Sequence, residues 1–242
     1  MLVTRSKSIV DQVNEILRER IRDATYSPGE KIPSESELSA EFSVSRATVR
    51  TVLAKLSVEG LILRKQGDGT YVNERIREVN THLGGLWDFA HLIESSGFTA
   101  RIQALSMELV IATEEQARAL AITPGDELLS MVRLFSADER SAIVANNVIP
   151  TAFLTKPMEE VDGELRIREI LKEYCDQDVA FAVTDIRSVL AGEEASALDA
   201  KPDDHLLNLK MVFYSKNNRP VALGDSYFND KVLRLRLVQA WN

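Results

Sequence analysis

A single cysteine, Cys175, in 242 residues leaves no internal disulfide framework and fits a reducing compartment. No apolar run approaches the ~18 residues that a membrane span needs. Met1 to Val10 carries Arg5 and Lys7 but no apolar stretch or small-residue cleavage site, so no secretory signal is expected and the chain reads as cytoplasmic. The three histidines, His82, His91 and His205, stand apart, and none has a ligand-spaced Cys or His beside it, so neither a metal nor another cofactor is expected. Ser226-Tyr227 and the nearby Asp residues lack a nucleophile elbow or a paired-carboxylate context, so no catalytic residue is expected. Gly67-Asp68-Gly69 is followed by no helix that could supply an N-terminus to a phosphate. Internal repeats and low-complexity tracts are absent. Cys175 itself reads as a small buried hydrophobe.

Hydrophobic residues make up 45% and charged residues 27%, enough apolar side chain for a packed core and too much for a disordered chain. The length suits one large domain or two modest ones. The formal net charge of −8 argues against a polyanion partner until it is divided along the chain. Residues 1–75 hold 12 Lys+Arg and 11 Asp+Glu, and residues 76–242 hold 17 and 26. Within residues 45–75 the balance is +3. Local potential, not the total, decides nucleic-acid binding.

Ile9, Val13, Ile16, Leu17 and Ile21 recur at helical spacing among charged residues and predict an amphipathic helix. After the Ser27-Pro28-Gly29 turn, Ser34 with Glu37 forms a capping box that opens a short helix to about Phe42. Ser45 caps a third helix, from Arg46 to about Glu59, which Gly60 terminates. Leu61 to Gln66 and Thr70 to Val72 flank a Gly-rich tip and predict a hairpin. Asn73 to about Leu83 is polar, and Gly84-Gly85 follows, which divides the chain into a first domain at 1–73, a linker at 74–84 and a second domain at 85–242.

The second domain opens with a helix from Leu86 to Ser96, closed by Gly97. Strands are predicted at about 100–111, 127–136, 142–149, 180–190, 206–215 and 220–228, with a last one at 232–239. Helices fall at about 113–121, 164–174 and 192–199. The fold class is therefore α+β: an N-terminal helix-turn-helix with a wing, then a mainly antiparallel sheet with flanking helices. Trp87 and Phe89, two apart on one helix, face different ways, and packing is expected for at least one.

The third helix has two faces. At 100° per residue, Val49, Val52, Leu53 and Leu56 point to the core. Ala47 and Thr51, flanked by Thr48 and Arg50, point outward as a small polar surface that fits a major groove. Ser45 and Arg46 sit at the helix N-terminus, where backbone N–H groups attract phosphate. Gly67 and Gly69 let the hairpin tip approach a duplex, with Arg64, Lys65 and Gln66 at its base.

Ile32-Pro33-Ser34-Glu35-x-Glu37-Leu38, Val44-Ser45-Arg46-Ala47-Thr48-Val49-Arg50, Gly60-Leu61-Ile62 and Gln66-Gly67-x-Gly69-Thr70-Tyr71-Val72 resemble the DNA-binding domain of GntR-superfamily repressors. The second half resembles the effector domain of the HutC-type subfamily, with its chorismate-lyase-like fold. Leu120-Ala121-Ile122-x-Pro124-Gly125-Asp126, Arg133-Leu134, Ile149-Pro150, Arg219-Pro220-Val221 and Tyr227-Phe228-x-Asp230 carry that likeness. The resemblance implies a homodimeric transcription factor whose DNA affinity responds to a small metabolite in the second domain, with operator DNA as the other partner and no membrane. It adds position 36 to the DNA contacts; the family often has Arg there, and this chain has Ser36. Asp68 replaces a basic wing tip.

In the effector domain Arg133 keeps one basic position of phosphosugar-responsive relatives, and Phe135 replaces a second. Ala145 and Ala222 stand where glutamates are common. The resemblance leaves Arg133, Asn147, Asp225 and Tyr227 amid Phe89, Phe135 and Phe181 as effector-binding candidates. These imply a partly apolar or aromatic metabolite with at most one acidic group, paired with Arg133. The rival reading is a lyase-like enzyme or a sensor that does not touch DNA.

Overall fold

Ser8 Oγ accepts from the Asp11 amide and starts α1, Ile9–Arg22, whose Val13, Leu17 and Ile21 are buried. The computed structural model describes residues 8–75, 81–82, 88–192, 196–235 and 237–238. Ser34 opens α2, Glu35–Glu41, with the predicted reciprocal capping box to Glu37. Ser45 opens α3, Arg46–Val58. Gly60, at φ 71°, turns the chain out of that helix through a conformation that favours glycine. Strands β1, Ile62–Lys65, and β2, Gly69–Val72, pair antiparallel about a tip where Gly67 has φ 76°.

The sequence pattern did not reveal a third segment in this wing. Lys31 bridges Tyr71, and the Ile32 amide donates to the Thr70 carbonyl at 2.9 Å. Leu38, Val49, Val52, Leu53, Leu56 and Ile62 are all but fully buried around α1. Each such side chain contributes about 1.5–3 kcal/mol of apolar transfer.

Contacts divide the chain into a unit of Met1–Gly84 with Arg236–Asn242 and a unit of Gly85–Leu235. The C-terminal segment thus groups with the first unit, through a parallel two-residue pairing of β3, Thr81–His82, with β10, Leu237–Val238. Of the predicted strand at 232–239, the described residues are strand at that pair only. Residues 76–80 and 83–84 of the predicted linker, Gly85, Leu86 and Trp87 at the start of the predicted second domain and its first helix, and residues 193–195 of the predicted helix at 192–199 lie outside the described residues. Residues 196–199 form turns and not helix. Leu198 is buried there, and its carbonyl accepts from Asn229 Nδ2 at 3.0 Å.

The second unit holds α4, Phe89–Ser95, α5, Glu114–Leu120, and α6, Ile167–Cys175, around one antiparallel sheet. Its strands are β4, Ala100–Ile111; β5, Glu127–Ala137; β6, Arg140–Pro150; β7, Val179–Leu190; β8, His205–Ser215; and β9, Pro220–Phe228, in the order β4-β5-β6-β9-β8-β7. Alternation gives the sheet two faces. Leu129, Met131, Phe135, Ile143, Ala145, Leu209, Met211, Phe213, Ala222 and Phe228 pack under α4 and α6. On the opposite face α5 covers Leu128 and Val148, and a smaller cluster joins Val144, Leu198 and Leu206. No helix among the described residues is long and apolar enough to cross a membrane.

Candidate nucleic-acid interface and effector pocket

On α3 the predicted division of faces holds. Val49, Val52, Leu53 and Leu56 are buried, while Arg46, Ala47, Arg50 and Thr51 are exposed and Thr48 is half-buried. Ser45 is exposed, its Oγ accepting from the Thr48 amide at 3.1 Å. Ser36 is exposed on α2. Arg64, Gln66 and Gly67 are exposed on the wing, and Gly69 is half-buried beside Lys31. All eleven DNA-binding candidates therefore belong to the winged unit, and none is buried.

One acid crosses this surface. Glu35 Oε2 accepts from Arg50 Nε and Nη2, and its Oε1 lies 3.9 Å from Arg64 Nη2. At the wing tip, Tyr71 Oη donates to Asp68 at 2.9 Å and Lys31 lies 3.7 Å from the same carboxylate. Asp68 is thus partly neutralised, and Lys65 lies over the Tyr71 ring.

The second unit contains a pocket on the helix-covered face of its sheet. Arg133 reaches into it from β5 with only 1% of its surface exposed. Nη1 donates to the Leu165 carbonyl at 2.7 Å and Nη2 to Asn147 Oδ1 at 2.5 Å, while Nε has no partner. Among the described residues no carboxylate pairs with it, and desolvation lowers its pKa to about 10. At that value the guanidinium still carries its charge at neutral pH. Phe135, beneath the guanidinium, and Phe89, edge-on to Phe135, form an apolar wall. Asn147 is held against the floor, where a Cβ on Gly224 would come within 3.1 Å of its Nδ2.

Of the seven effector-binding candidates, Phe89, Arg133, Phe135 and Asn147 line the pocket and three do not. Asp225 and Tyr227 alternate with Gly224 and Ser226 along β9 and so stand on the opposite face. There Asp225 accepts from Asn208 Nδ2 at 2.5 Å, and Tyr227 packs beside Val144 and Leu206. Phe181 stacks on Tyr214 at 4.9 Å, because a bulge between Val179 and Phe181 turns it to that same opposite face.

The sequence reading missed the rim. Asp88, which caps α4, and Arg166, Ile167 and Arg168, where α6 begins, all line the pocket, as do Met211 and Phe213. Arg166 Nη1 donates to Asp88 at 2.9 Å and its Nη2 to Glu94, which compensates that cation; Arg168 is exposed. Basic residues at the start of a predicted helix were visible, but nothing local indicated which strands that helix covers. No cluster of three potential metal ligands occurs among the described residues.

Residues 9–72 match the family of bacterial regulatory proteins called gntR, and residues 95–233 match the UTRA domain. The chain is 27% identical to the HTH-type transcriptional repressor NagR of Bacillus subtilis, over 89% of this chain and 90% of that one. It is 25% identical to the HTH-type transcriptional regulator YurK of the same organism, over 87% and 86%. The crystal structure of the possible transcriptional regulator YydK of Bacillus subtilis superposes with a TM-score of 0.72 at 19% identity, over 97% of this chain and all of that one, and so shares the fold.

Proposed function

The chain belongs to the gntR family of bacterial regulatory proteins with a UTRA domain, and from that premise we propose that it is a homodimeric repressor whose grip on a two-fold symmetric operator changes when a small metabolite fills the Arg133 pocket. It is a transcriptional regulator and not an enzyme. It works in the cytoplasm, where its operator lies. The exposed face of α3 reads the major groove of each half-site, and the wing lies along the neighbouring backbone.

The observation that carries the effector reading is Arg133. A buried guanidinium with a free Nε and no acid paired to it among the described residues, at the wall of a pocket, is a costly arrangement that an anionic ligand relieves. Arg166 already has Asp88 and Glu94, so Arg133 is the buried anchor. The body of the ligand packs against Phe89, Phe135, Met211 and Phe213, and a compound with one acidic group suits that wall better than a polyol.

Calorimetric titration of the full chain with aromatic monoacids, aliphatic monoacids and sugar phosphates, each with and without operator DNA, tests this. A monoacid that binds tightly, and whose affinity shifts with DNA by the same factor by which it shifts DNA affinity, supports the reading. Ligand affinity indifferent to DNA removes the regulatory link, and a tight response to a sugar phosphate alone removes the monoacid.

A further inference from the structure

Gly224 of β9 stands opposite Asn147 of β6 and Met211 of β8. It is not among the glycines with positive φ, so backbone conformation does not call for a glycine there. The space above it does. A Cβ would come within 3.1 Å of Asn147 Nδ2 and 3.2 Å of Met211 Cε and Phe213 Cε2, and all three residues line the pocket. The missing side chain is thus what leaves room at the pocket floor beside the Asn147 amide. The orientation of that amide is fixed. A guanidinium only donates, so the Asn147 atom 2.5 Å from Arg133 Nη2 is its oxygen, and Nδ2 is the atom over Gly224. Of the two Nδ2 hydrogens, one is directed at the Leu223 carbonyl, at 3.4 Å, and the other meets no acceptor among the described residues.

Donors and acceptors in this pocket are unequal. Among its lining side chains only Asp88 and Asn147 carry acceptors, and both are engaged: Asp88 takes the His91 amide and Arg166 Nη1, and Asn147 Oδ1 takes Arg133. The unused groups are donors, Arg133 Nε and the second hydrogen of Asn147 Nδ2. They are neighbours, because Nδ2 shares a carbon with the oxygen that the same guanidinium grips. A ligand that satisfies both brings two acceptors a bond or two apart and no donor beside them. A carboxylate supplies the first, and a carbonyl on the adjoining carbon supplies the second. A hydroxyl on that carbon also accepts, but its hydrogen finds no free side-chain acceptor. An ammonium there faces Arg133, Arg166 and Arg168.

We infer that the effector is an α-oxo acid with an apolar side chain, its carboxylate on Arg133 Nε and its carbonyl on Asn147 Nδ2, over the floor that Gly224 leaves clear. The inference rests on the monoacid reading above and adds to it the second polar group of the ligand and the two residues that select it.

Calorimetric titration of the full chain tests this with two matched series. One is phenylpyruvate, phenyllactate, phenylalanine and phenylpropionate; the other is ketoisocaproate, hydroxyisocaproate, leucine and isocaproate. In at least one series the oxo acid binds about tenfold or more tighter than its hydroxy and unsubstituted counterparts, and the amino acid does not bind. Asn147→Ala brings the ratio of oxo to unsubstituted affinity close to one while the unsubstituted acid keeps its affinity, a split that a purely structural asparagine does not produce. Gly224→Ala sets a Cβ against Nδ2 and lowers the same ratio without removing a polar group. Melting curves verify that both variants fold, and the two ligand series on the parent stand without either. Unsubstituted acids that bind as tightly as their oxo counterparts, or a ratio that Asn147→Ala leaves unchanged, overturn the inference and leave the monoacid reading standing. A parent that binds none of these acids also overturns the inference, and one that binds a sugar phosphate alone overturns the monoacid reading with it.

Discussion

Arg50 Nε and Nη2 both donate to the same oxygen of Glu35, at 3.2 and 3.1 Å. The arginine on the outward face of α3 is thus held by an acid from the preceding helix when DNA is absent. The pair is exposed enough to add little to stability. Its importance lies in recognition, since a base edge or phosphate must compete with Glu35 for the guanidinium.

Arg50→Ala should weaken operator binding by about 1–3 kcal/mol and relax discrimination between sequences. Glu35→Gln should do something different: with Arg50 and Arg64 released, affinity for random duplex rises and the ratio of operator to random affinity falls. Fluorescence anisotropy at ~150 mM salt with both duplexes separates the two variants. An Arg50→Ala protein that binds its operator as tightly as the parent would show that this face is not the reading face.

Arg133→Ala should abolish the shift in DNA affinity that the ligand causes and leave operator binding in its absence unchanged, because the substitution lies in the other unit from the reading helix. The same assay with and without ligand decides this. Retention of the ligand response by the variant would place the anchor elsewhere.

Leu56 is fully buried between α3 and its neighbours. Leu56→Ala should destabilise the winged unit by about 2–5 kcal/mol through lost burial and the cavity left behind. Calorimetry should show an early transition for that unit while the melting of the sheet domain stays in place, accompanied by loss of DNA binding.

Burial pushes the Cys175 thiol up to about 11. The sign follows directly: the thiolate is the scarce form at neutral pH and gains population only as pH rises toward that value. Reaction with a disulfide reagent at pH 8 should be about a hundredfold slower than for a free cysteine, and should accelerate when denaturant unfolds the chain. Rapid labelling of the native protein would contradict the burial.

The winged unit was legible because its signals are local. The Ser34–Glu37 capping box, the Ser45 cap and the spacing of Val49, Val52, Leu53 and Leu56 each lie within a few turns of one helix. The Lys31 bridge to the wing escaped notice because one residue of strand pairing has no periodicity to detect. In the second unit the six long strands were legible from their alternation and turns. The two-residue pairing of β3 with β10 was not, since it joins segments about 155 residues apart.

By itself the sequence determined the α+β class, the third helix with its two faces and the wing, while the resemblance singled out Arg133 and only the structure showed it buried. Tertiary structure alone decided which side chains share the pocket with Arg133. Asp225 and Tyr227 lie one step out of phase with Gly224 and Ser226, and a single bulge turns Phe181 away, because a strand has a period of two and one residue of shift exchanges its faces. Arg166 and Arg168 entered from a helix more than 30 residues along the chain, placed over that face by packing of Ile170 and Leu171. Helix caps and periodicity act over a few neighbouring residues, whereas a pocket wall is set by register between distant strands, and only the folded sheet fixes that.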